Sequence, residues 1–221
     1  MKFGPVPVET AEGAILAHGI RAGEANFKKG RVLSAADVDT IRKAGVATVM
    51  AARLDPDDVP EDVAAKRIAE AARGPNTTLS QATTGRTNIY AAERGLVMID
   101  AARVNEINAI HESITLATLN PIELVERRQM LATIKIIPFA APDSCVAKAE
   151  AIAKSRPIIT VAPFRPQNIA LISTTLPGMK ASLLDKNKAV IAARADALGS
   201  AIAFELRCAH ERDAIGAAIA D

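Results

Sequence analysis

Asn168-Ile169-Ala170-Leu171-Ile172-Ser173 and Ile202-Ala203-Phe204-Glu205-Leu206, separated by a loop from Thr174 to Leu184 and a helix from about Asn187 to Leu198, decide how this chain is read. The first run is typical of a strand buried on both faces. Gly199 stops the intervening helix, and Arg212 to Ala220 begins another. Strand, helix, strand, helix is the opening of a parallel α/β sheet with right-handed crossovers. Two parallel strands make a poor sheet, since typical sheets hold about five or six strands. The expectation is an incomplete module: either the chain is a piece of a longer protein, or a partner completes the sheet.

Working outward, residues 141–165 hold a helix from 142 to 155 and a short strand from Ile158 to Val161. Residues 77–140 are strand-rich. Thr87-Asn88-Ile89-Tyr90-Ala91 and Leu96-Val97-Met98-Ile99 flank Arg94-Gly95 and predict a hairpin. Asp100 to Asn108 predicts a short helix, and Ile114 to Leu119 and Leu131 to Ile137 predict strands. Residues 1–76 form an α+β module in which Ser34-Ala35-Ala36-Asp37 opens a helix and Gly45 ends it. Val63 to Ala72 is a second helix, closed by Gly74-Pro75-Asn76. The fold class is therefore α+β: N-terminal (1–76) and middle (77–140) modules, a connecting helix and strand (141–165), and an α/β segment over 166–221.

Of 221 residues, 49% are hydrophobic, which excludes wholesale disorder. Lys+Arg 27 against Asp+Glu 25 leaves +2, with the signs interspersed and only five Phe and one Tyr. A nucleic-acid surface needs a basic stripe and usually stacking aromatics, so none is expected. Cys145, Cys208, His18, His111 and His210 match no zinc spacing, and two cysteines are too few for a disulfide framework. With no apolar leader and no uncharged apolar run of about 18 residues, the expectation is a soluble cytoplasmic protein without membrane contact. Lys28-Lys29 and Arg127-Arg128 suit turns, and Lys135 sits inside an apolar strand.

Lys28-Lys29-Gly30-Arg31-Val32-Leu33-Ser34-Ala35-Ala36-Asp37, followed by Lys43-Ala44-Gly45-Val46-Ala47-Thr48-Val49, resembles the K-G-x-x-L-x-x-x-D … L-G-V-x-x-V stretch of molybdopterin-binding proteins. Leu54 to Asp62, Gly85-Arg86-Thr87-Asn88, Gly95-Leu96, Ala117-Thr118-Leu119 and Ile134-Lys135-Ile136-Ile137-Pro138 are similar to further pieces of that family in the same order. The resemblance implies a MoeA-like N-terminal region followed by the start of a MoaB/Mog-like parallel domain. It also implies molybdopterin or its nucleotide form as ligand, with Mg²⁺ as a companion, a homo-oligomer, and adenylylation of molybdopterin or insertion of molybdate by the intact protein. Ser173 and Thr174 match the family's strand-to-loop junction, Asp185-Lys186 a D-K pair beyond it, and Glu211 an acidic position after the second strand. A carboxylate at 211 suits Mg²⁺. The family's glycine loop for the pterin phosphate does not occur within these residues. Asp185, Lys186 and Glu211 equally suit ordinary first helical turns. The alternative to a molybdopterin protein is a non-catalytic dimerisation or docking module for cofactor-handling enzymes.

Overall fold

Ser34 starts the first helix, α1 (Ala35–Lys43), through a reciprocal cap. Its hydroxyl accepts from the Asp37 N–H at 3.3 Å, and the Asp37 carboxylate accepts from the Ser34 N–H at 3.1 Å. Arg31 forks onto the same carboxylate with two hydrogen bonds of 2.8 Å, which holds Asp37 below the usual aspartate range. Gly45, at φ +78°, lets the chain leave the helix. Around α1 lie β1 (Lys2–Pro7), β2 (Ile15–Leu16), β3 (Ile20–Ala22), β4 (Ala25–Phe27) and β5 (Thr48–Arg53). The central strand β5 runs antiparallel to both β1 and β2, and Val49 and Ala51 join Val8, Leu16, Leu33 and Ile41 in a small core.

The computed structural model describes residues 1–220. They fall into two units, Met1–Ala162 and a second starting at Pro163. The remainder of the first unit comprises β6 (Asp58–Pro60), α2 (Glu61–Ala72), β7 (Thr77–Leu79), β8 (Arg86–Ala91), β9 (Gly95–Ile99), α3 (Ala101–Asn108), β10 (Ile114–Thr118), β11 (Leu124–Val125), β12 (Met130–Ile136), β13 (Ala140–Pro142), α4 (Asp143–Lys154) and β14 (Ile159–Pro163). Strands β10, β12, β8 and β7 form one antiparallel sheet in that order. Along β12, Ile134 and Ile136 are fully buried while Lys135 between them is only half-buried, the period-two alternation of a strand with one face on a core. Helix α2 buries Ala64, Ala65, Ile68, Ala69 and Ala72 in the same core, and side chains this small let the helix lie close. This larger core runs from Val59 to Val161, and the smaller one ends at Ala51. The two apolar clusters thus meet between Ala51 and Val59, inside the one unit that spans Met1–Ala162.

The expected hairpin does not form. Strand β8 pairs with β12 and β7, whereas β9 pairs with β11 and neighbours β14 in a different sheet. The end of β8 stays with the turn before β12: the Ala91 N–H donates to Gln129 and the Arg128 N–H to Ala91. The chain then crosses to another layer through residues 92–94.

The second unit contains β15 (Asn168–Thr175), α5 (Ala181–Asp196), β16 (Ala201–Ala209) and α6 (Arg212–Ala220). The two strands are parallel, with Asn168 opposite Ala201 and Thr175 opposite Ala209. Two expectations are corrected here. Strand β15 is not buried on both faces; only Ser173 in it is buried, because the sheet is two strands wide and, of α5 and α6 together, only Ala195 is buried among the described residues. Helix α5 begins at Ala181, so Asp185 and Lys186 lie in its second turn rather than ahead of it. Helices and largely antiparallel sheets together make the chain α+β. Among the described residues no helix is long and apolar enough to cross a membrane.

Candidate functional site

The five residues singled out at the C-terminal strands separate into three places. Ser173, on β15, turns its hydroxyl to the Glu205 carboxylate on β16 at 3.3 Å. Glu205 is also held by Arg207 at 2.9 Å and Lys188 at 3.2 Å, and Arg207 reaches Asp185 of α5 at 2.6 Å. The result is a closed polar net in which Arg207, then Lys188, draws Glu205 below the usual glutamate range. Its Ser173 and Asp185 are committed within the net. Thr174 stands apart at the carboxyl edge, its hydroxyl 3.0 Å from His210 Nδ1. Lys186 and Glu211 are exposed and join neither group. Among the described residues no three His, Cys, Asp or Glu side chains come together to hold a metal ion.

A second polar site, absent from the sequence reading, lies in the first unit. It is a cavity of about 390 Å³ whose charged groups arrive from distant segments. Lys29 comes from the turn after β4, Glu61 is the first residue of α2, Lys135 projects from β12, and Phe139 follows Ile137-Pro138. The turn Thr83-Thr84-Gly85 forms another wall, with Thr84 at φ 49° and Gly85 at φ 70°. Each wall is fixed by the backbone. The Glu61 N–H donates to the Phe139 carbonyl at 2.9 Å, the Gly85 N–H to the Asp62 carboxylate at 2.6 Å, and the Lys135 ammonium to the Thr84 carbonyl. The Lys29 ammonium lies 5.9 Å from the centre of the Phe139 ring.

The Glu61 carboxylate has no hydrogen-bond or ion-pair partner among the described residues. Burial lifts it above the ordinary glutamate range; Lys135 and Lys29 pull the other way without contact, and Asp62 adds to the rise. An acid raised in the folded state contributes stability that is complete below its unfolded pKa and is lost as pH climbs through the folded value. Glu61→Gln should therefore melt higher than the parent at pH 7, with the gap closing by about pH 4. Paired thermal melts at the two pH values measure this, and a lower melting point for the variant at pH 7 contradicts it.

One signal for this site was present in the sequence: Lys135 occupies the outward position between two inward isoleucines. Nothing local links it to Lys29 or Glu61. A family model described as a domain of unknown function (DUF8806) matches residues 5–53, the segment that contributes Lys29 and Gly30. No curated protein and no solved structure matches the chain.

Proposed function

We propose that this chain handles molybdopterin during biosynthesis of the molybdenum cofactor, in the cytoplasm and as a homo-oligomer. One observation carries the reading. Three stretches that bear the family resemblance, around Lys29-Gly30, Gly85-Arg86 and Ile134 to Pro138, are far apart in sequence yet contribute to or border the same cavity. The C-terminal unit is read as Mog-like on the strength of its parallel β15–β16 pair, where ligands of open α/β sheets sit at the carboxyl edge. Thr174, His210 and Lys186 have the donor chemistry for a phosphate or a polar pterin edge, while Ser173 and Asp185 shape that edge through Glu205 and Arg207. The bound pterin would bring the phosphate to be adenylylated or the place where molybdate is installed. The chain's own residues would orient it and neutralise its charge. Calorimetric titration of molybdopterin into the full chain tests the reading: saturable binding supports it, and the absence of binding rejects it.

A dimerisation or docking role is the second reading, favoured by apolar side chains left exposed on the C-terminal unit. Leu183 is 56% exposed, Phe204 51% and Ile219 70%. Sedimentation equilibrium decides it, since a monomer at every concentration that captures no cofactor-handling enzyme contradicts both the docking role and the homo-oligomer.

A further inference from the structure

We propose that the cavity bounded by Lys29, Glu61, Lys135 and Phe139 binds a phosphorylated planar heterocycle with a 2-amino-4-oxo edge, the edge common to guanine and pterins. Glu61 takes the paired N–H groups, and the two ammonium groups take the phosphate. The inference rests on the function proposed above and names the place and the contacts through which it operates.

A carboxylate is an acceptor with two oxygens, matched in width to two adjacent N–H donors. Neither Glu61 oxygen accepts a hydrogen bond from a described residue, although Oε2 lies against Gly85. Asp62, its neighbour, is already spent on the Gly85 N–H. Partial burial makes an unpaired carboxylate costly, so donors supplied by a ligand are worth more here than in water. Two opposite charges lie on the same cavity without touching Glu61: among the described residues neither Lys29 nor Lys135 forms an ion pair with a carboxylate within 4.0 Å. Lys135 spends one hydrogen on the Thr84 carbonyl and keeps two; Lys29 keeps all three. Separated charges of opposite sign flanking an open space suit a ligand with donors at one end and an anion at the other. Phe139 and Ile137, the latter 62% exposed, give the apolar wall that a flat ring covers. A volume of about 390 Å³ falls in the range of small-molecule sites, roughly 300–1,000 Å³.

The experiment is calorimetric titration of the full chain with guanosine monophosphate, adenosine monophosphate and inorganic phosphate. It is repeated on Glu61→Gln and Lys29→Ala, with circular dichroism showing that both variants fold. The expected result is binding of the guanine nucleotide and binding of the adenine nucleotide weaker by about tenfold or more, because adenine lacks the donor pair. Glu61→Gln should weaken the guanine nucleotide by a similar factor without weakening phosphate, whereas Lys29→Ala should weaken both. Equal affinity for the two nucleotides, no guanine-nucleotide binding, or indifference to Glu61→Gln overturns the proposal. Guanine-nucleotide binding through Glu61 with no binding of molybdopterin would sink the functional reading and leave this pocket standing. Molybdopterin bound equally by parent and Glu61→Gln would do the reverse.

Discussion

Arg103→Met is expected to cost the first unit about 4 kcal/mol, and Arg103→Lys about half of that. Arg103 is 9% exposed, and its guanidinium spans the end of α4. It donates to the carbonyl of Ile152 from Nε at 3.1 Å, and from Nη2 to those of Ala153 at 3.0 Å and Arg156 at 2.6 Å. The last four carbonyls of a helix have no partner within it, and a cation at that end also complements the helix dipole. Arg103 supplies both functions from α3. Asp100 anchors the arrangement: its carboxylate accepts from the Arg103 N–H at 3.3 Å and from Arg156 at 2.6 Å, and Arg156, then the backbone of Arg103, draws it below the usual aspartate range. Methionine matches the arginine stem in length but leaves the three carbonyls without their donor. Each such group costs roughly 1–3 kcal/mol when it stays buried. Lysine keeps the charge and loses the planar fork. Urea denaturation of the two variants measures the difference; a methionine variant within about 1 kcal/mol of the parent would show that water replaces Arg103 without loss.

How far the sequence discloses this molecule depends on the range of each interaction. The cap at Ser34-Asp37, the Asp100 start of α3 and the strand-helix-strand order of residues 168–209 are all local, and each forms where its residues indicate. Strand pairing is not local. Leu96 to Ile99 has the alternation of a hairpin partner for β8, but β8 gains more burial beside β12, which delivers Ile134 and Leu131 to the α2 face. The same division holds for the candidate sites. Thr174 sits at a strand end that periodicity alone locates. Asp185 reaches Arg207 from the second turn of α5, which starts at Ala181, six residues before the expected Asn187, so a residue expected ahead of the helix is carried on it. The cavity at Lys29 was illegible for a different reason. Its charges come from a turn, a helix terminus and a strand more than a hundred residues apart in the extreme, and only the folded backbone brings them to one space.

Gly85→Ala is expected to cost about 3 kcal/mol and to crowd the Glu61 carboxylate on the cavity wall. Two separable effects add. At φ 70° an alanine carries a penalty of roughly 1–2 kcal/mol that glycine does not. The added methyl would also stand 2.7 Å from the Ile136 carbonyl and 2.6 Å from Glu61 Oε2, closer than real methyl contacts allow. The carbonyl cannot yield easily, because the Ile136 N–H donates to Gly85 at 2.8 Å and the Gly85 N–H donates to Asp62 at 2.6 Å, tying the turn to β12 and α2 together. Glu61 can yield only by rotating within the cavity. Gly45→Ala isolates the first effect: its φ is +78°, and a methyl there meets nothing within 4 Å. That variant should lose about 1 kcal/mol, so the difference between the two glycine variants measures the close approach of the turn to Glu61. For a unit of this size, about 3 kcal/mol corresponds to a fall in melting temperature of roughly 6–12 °C. If both alanine variants fall by the same few degrees, the turn is free to move away from Glu61 and its backbone ties do not set the width of the cavity.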